Sequence, residues 1–91
     1  MAILMIADAS EGTLAHYDQV NKELETAGYG QPSGRQFHVA ARKGTGYVVI
    51  DVWESQEALD RFSEILGPLL QQVGSEESVQ ILPVHKVIKG A

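Results

Sequence analysis

The stretch Gly46-Tyr47-Val48-Val49-Ile50-Asp51-Val52-Trp53 leaves this chain the least freedom. Its β-branched and aromatic residues predict a strand that ends on the only Trp and runs straight into a helix start at Ser55. Asp51 stands in the middle of that apolar run, and a buried carboxylate is costly unless something pairs with it. The question is therefore what lies opposite Asp51.

The preceding run, Arg35 to Arg42, is also strand-like, and Lys43-Gly44-Thr45-Gly46 has the composition of a hairpin loop. With those four residues as the loop, Arg42 faces Tyr47, Ala40 faces Val49, His38 faces Asp51 and Gln36 faces Trp53. Alternation then gives one face carrying Gln36, His38, Ala40, Arg42, Tyr47, Val49, Asp51 and Trp53. The other, with Phe37, Val39, Ala41, Val48, Ile50 and Val52, is wholly apolar. Directly opposed residues are close enough for a His38–Asp51 hydrogen bond, and a loop one residue longer or shorter would send the two side chains to opposite faces.

The rest of the chain supplies four more elements. Ala2 to Ala7 is a continuous apolar run, predicting a strand buried on both faces, with turn residues Asp8 to Gly12 after it. Thr13 is a plausible N-cap for a helix whose apolar positions are Leu14, Tyr17, Val20, Leu24 and Ala27, and Gly28 stops it. Residues 29–34 form a loop. Ser55 caps a second helix with the stripe Leu59, Phe62, Leu66, Leu69 and Val73, and Gly67-Pro68 predicts a kink or restart within it. Val79 to Ile88 reads as a last strand, with Pro83 arguing for an edge position or a bulge. The order is βαββαβ, an α+β ferredoxin-like fold: a four-stranded antiparallel sheet with two helices on one face.

Residues 1–91 are expected to form a single domain. So small a domain with one sheet face left open is expected to form a homodimer through that face. Seven Lys and Arg against twelve Asp and Glu cannot supply a phosphate-tracking face, so nucleic acid and anionic membrane are not expected partners. The absence of Cys excludes a thiolate nucleophile, a disulfide framework and Cys-based metal sites. The apolar N-terminus lacks a basic n-region and is too short to span a bilayer, so a cytoplasmic protein is expected.

With Trp53-Glu54-Ser55 at the junction of third strand and second helix, Phe62 and Pro68 in that helix, and Pro32-Ser33-Gly34 leading to the strand with His38, the chain resembles the dimeric α+β barrel proteins. It is most similar to their small bacterial antibiotic-biosynthesis-monooxygenase-like group. The resemblance covers nearly the whole chain and is more specific for fold than for chemistry, since the superfamily includes cofactor-free oxygenases, haem-degrading enzymes, isomerases and cyclases. It implies a ligand within each subunit, between helices and sheet, and two sheets back to back across the dimer. The haem-degrading pattern has an Asn in the first strand and a His on the second helix; here neither is present.

His38 with Asp51 has the logic of a general base and its orienting carboxylate. The plainer reading is that the two only satisfy one another beneath the helices. Trp53, Tyr17, Gln36, Phe62 and His85 are the candidate substrate-binding residues: Trp53 as a flat wall, Tyr17 with its hydroxyl in the pocket, His85 on the last strand lining the pocket or the dimer seam. Trp53 and Tyr17 are equally intelligible as core, and His16 as a solvated helix residue. No His-x-x-x-His spacing or phosphate-binding loop is present, so neither metal nor cofactor is expected. Two functions fit: a cofactor-independent monooxygenase, cyclase or isomerase of secondary metabolism acting on an aromatic or polyketide-like molecule, or a non-catalytic dimeric accessory protein holding a hydrophobic ligand.

Overall fold

The structure, a computed structural model, describes residues 1–72, 77–88 and 90. Six elements follow in the expected order: β1 (Ile3–Ala9), α1 (Leu14–Thr26), β2 (Arg35–Lys43), β3 (Gly46–Trp53), α2 (Gln56–Gln72) and β4 (Ser78–Pro83). The strands form one antiparallel sheet in the order β2-β3-β1-β4. This is the ferredoxin-like α+β arrangement, with β1 and β3 at the centre.

Local chemistry sets the element ends. The Thr13 hydroxyl accepts from the His16 amide at the start of α1, and the Ser55 hydroxyl accepts from Ala58 at the start of α2. Gly34 has a φ of +90°, and a Cβ there would lie 2.7 Å from that of Ala58, so only glycine can deliver the chain into β2 beneath α2. At Gly46 an added Cβ would fall 2.2 Å from the Ala9 carbonyl oxygen, so the β2–β3 hairpin can lie this close to the end of β1 only through glycine.

The inner face of the sheet carries Ile3, Met5, Ala7 and Ala9 from β1 and Tyr47, Val49, Asp51 and Trp53 from β3. Both helices pack over it, joining Val20, Leu24, Ala58, Leu59 and Phe62 to Ile3 and Trp53 in one core. A second cluster unites Ala7, Ala9, Tyr47 and Val49 under Leu14 and Tyr17. The outer face carries Phe37, Val39, Ile50 and Leu82, all exposed.

Four expectations are corrected. β1 runs on to Ala9, because Asp8 and Ala9 pair with Val48 and Tyr47. α2 passes through Pro68 without a restart; a proline costs one helical hydrogen bond, and the apolar positions on either side still pack. β4 ends at Pro83, the last residue to pair with β1, although it occupies the expected edge. The expected pairing of Gln36 with Trp53 gives way to Arg35 opposite Trp53, through an irregularity between Arg35 and Phe37. Val73, the last position of the α2 stripe, and Gly74 to Glu76 lie outside the described residues. No helix among the described residues is long and apolar enough to cross a membrane.

Candidate active site

The β2–β3 register sets His38 opposite Asp51 on the inner face. Nδ1 of His38 lies 2.5 Å from Oδ1 of Asp51, and the indole N–H of Trp53 donates to Oδ2 at 3.2 Å. Asp51 is 3% exposed, so its charge is held by these two donors instead of water. On the other side of the ring, Nε2 of His38 lies 2.7 Å from the Tyr17 hydroxyl, delivered by α1. With the carboxylate accepting at Nδ1, a neutral imidazole has its proton there and its lone pair at Nε2, where it accepts from Tyr17. The result is a chain of four side chains, Tyr17, His38, Asp51 and Trp53, crossing from α1 through β2 to β3.

A cavity of about 320 Å³ lies between the helices and the inner face, within the size range of small-molecule sites. Tyr17, His38 and Asp51 line it, together with apolar side chains that include Met5, Val49, Leu59, Phe62, Leu66 and Leu70. Tyr17 meets Tyr47 edge-on, with ring centroids 5.2 Å apart. Burial raises the Tyr17 phenol above its ordinary value, and the Arg35 charge opposes that effect. The hydroxyl therefore keeps its proton at neutral pH. Glu77, just before β4, lines the same cavity, and burial reinforced by the Asp51 charge pushes its carboxyl up.

No protein-family model matches the chain, and no curated protein matches it in sequence. Solved structures match it in fold. A mutant form of SnoaB, a cofactor-independent oxygenase from Streptomyces nogalater, superposes with a TM-score of 0.67 at 17% identity, covering 98% of this chain and 97% of that one. Rv0793 from Mycobacterium tuberculosis gives 0.68 at 19% identity, covering 98% and 100%. A protein described as an antibiotic biosynthesis monooxygenase gives 0.61 at 16% identity, covering 97% and 100%. This chain shares the fold of these proteins.

Within that fold, the predicted site residues separate into two groups. His38, Asp51, Tyr17 and Phe62 line one cavity. Trp53 does not: it has no solvent exposure and packs beneath α2, its ring tilted against Phe62 at 5.3 Å, so it meets Asp51 from behind and forms no wall for a ligand. Gln36 is exposed, turned outward by the irregularity at the start of β2. His85 is exposed and lies beyond the end of β4, where the alternation of the strand no longer directs it.

Arg35, Tyr47 and Glu77 are among the cavity residues that escaped the sequence reading as site residues. Arg35 takes the place predicted for Gln36, and Tyr47 was recognised only as facing the helices. Glu77 sits in a polar stretch that resembles any solvated turn. Among the described residues, no group of three His, Asp and Glu side chains is arranged to hold a metal ion.

Proposed function

We propose that this chain is a small cofactor-independent enzyme of secondary metabolism that removes a proton from a planar, weakly acidic aromatic or polyketide-like molecule. The observation that carries the reading is the Tyr17–His38–Asp51 chain lining the cavity between the helices and the sheet. A ligand hydroxyl or activated C–H set against the Tyr17 oxygen would pass its proton there as Tyr17 passes its own to Nε2 of His38. Asp51, held by Trp53, then faces the imidazolium so formed. Only protons move, and the ligand is left as an anion from which oxygenation, ring closure or isomerisation can start. The name of SnoaB, a cofactor-independent oxygenase, supports a reaction of this class in a protein of the same fold.

The apolar outer face supports a homodimer joined sheet to sheet, which would leave one cavity in each subunit. Turnover is tested with anthrones and hydroxynaphthalenes, followed by oxygen uptake and by absorbance. His38→Ala and Tyr17→Phe are each expected to lower the rate about 10²–10⁴-fold with the fold intact. Unchanged turnover in His38→Ala would remove the mechanism. Binding of these compounds with no turnover in the wild type would identify a ligand-holding accessory protein instead.

A further inference from the structure

Arg35 is a cation lining the cavity of an acidic protein. The irregularity at the start of β2 is what brings it there: uninterrupted alternation would have set the neutral amide of Gln36 opposite Trp53. Its guanidinium carbon lies 5.9 Å from the centre of the Phe62 ring, and Nη2 donates to the Gly30 carbonyl at 3.1 Å. The side chain is thus anchored at one nitrogen, and the remaining N–H groups of the fork are available to a ligand.

The charge of Arg35 is not answered from within the described protein. The ion pairs among the described residues are His38–Asp51, Lys43–Asp8 and Arg61–Glu57, and Arg35 belongs to none of them. Asp51, the buried carboxylate of the same cavity, already has both oxygens engaged by His38 and Trp53.

We infer that the cavity binds its aromatic ligand as an oxyanion, with Arg35 as the receptor for the charged oxygen. The inference rests on the reading of the cavity as a ligand site and adds the charge and orientation of what it takes. Asp51, Asp60 and Glu77 line the cavity as well and repel a negative group, so the anionic end is drawn toward Arg35 while the ring body lies along Phe62 and Val49. Arg35 and Tyr17 line the same cavity, so an oxygen held by Arg35 shares that cavity with the outer end of the proton chain. A forked guanidinium suits a carboxylate or an enolate, and it favours charge that develops on the ligand as a proton leaves.

The test is calorimetric titration of the full chain with 2-naphthoate and its neutral isostere 2-naphthamide. The wild type is expected to bind the carboxylate at least about tenfold more tightly, with the preference shrinking as salt is added. Arg35→Gln is expected to abolish the preference and leave the amide's affinity within about twofold, whereas Arg35→Lys, which keeps the charge, retains part of it. Equal affinities in the wild type, failure of both probes to bind, or a preference that survives Arg35→Gln would each overturn the inference. If Arg35→Gln does not fold, the wild-type comparison and Arg35→Lys decide. His38→Ala is expected to keep the naphthoate preference, so loss of proton transfer and loss of anion recognition are read separately.

Discussion

The indole N–H of Trp53 donates to Oδ2 of Asp51, two residues back on the same strand, at 3.2 Å. Side chains two apart on a strand share a face, so β3 supplies both the carboxylate and the donor that makes its burial tolerable. Trp53→Phe keeps an aromatic core residue and removes the donor. A loss of about 2–4 kcal/mol is expected, from a charged group left short of a partner and from the smaller ring. Urea denaturation measures it, and a change below about 0.5 kcal/mol would show that the bond does not support Asp51.

Glu77 yields a prediction in pH. Its folded-state value is raised above the ordinary 4.5 by burial and then by the Asp51 charge. Between the ordinary and raised values the folded state holds more protons than the unfolded one, so this group's contribution to stability falls as pH rises through that window. Glu77→Gln should therefore be more stable than the wild type at pH 7, and the difference should vanish below the ordinary value. Melting both proteins from pH 4 to pH 8 compares them, and parallel curves would count against a buried Glu77.

Gly67 lies inside α2 on the cavity wall, where an added Cβ meets no atom within 4 Å beyond its chain neighbours and its own helix backbone. Glycine in a helix interior costs about 0.5–1 kcal/mol relative to alanine. Pro68 crowds a Cβ on the residue before it in helical geometry, which offsets part of that gain, so Gly67→Ala should change the melting temperature by less than about 4 °C. Gly67→Leu reaches further into the space and should weaken naphthoate binding at least about tenfold with the fold kept. Unaltered binding in Gly67→Leu would mean that the ligand does not use this wall.

Val39 and Ile50 oppose one another directly on β2 and β3, and both are exposed on the outer face. In a sheet-to-sheet homodimer, Ile50→Glu would bury an unpaired carboxylate at the seam. Sedimentation should then report a monomer with an unchanged far-ultraviolet circular dichroism spectrum. An unchanged mass would place any dimer contact elsewhere.

Much of the fold could be read from the chain because its signals are local. Thr13 and Ser55 cap their helices, and the apolar spacing marked the packed faces. Facing of His38 and Asp51 followed from the hairpin: Lys43 and Gly46 pair as well, which shortens the loop by two residues and leaves the pairs from Arg42–Tyr47 to His38–Asp51 as expected. Two kinds of information were out of reach. A one-residue irregularity has no compositional signature, so the exchange of Gln36 for Arg35 was invisible even though it decides the charge of the cavity. Depth was invisible too: alternation placed Trp53 on the face of Asp51, but whether it met a ligand or stood behind the carboxylate depended on how closely Ala58, Leu59 and Phe62 pack over it.

The chain of four side chains draws three of its members from the β2–β3 hairpin and only Tyr17 from α1. His38, Asp51 and Trp53 are bonded to one another within the hairpin, whereas the junction at Nε2 exists only while the helix is seated. Tyr17 thus works as a removable contact. An excursion of α1 away from the sheet breaks the circuit at its outer end and leaves the inner bonds closed. On the proposed mechanism, protein in that state has no proton path, so amide exchange along α1 should set an upper limit on the fraction of molecules able to turn over at any moment.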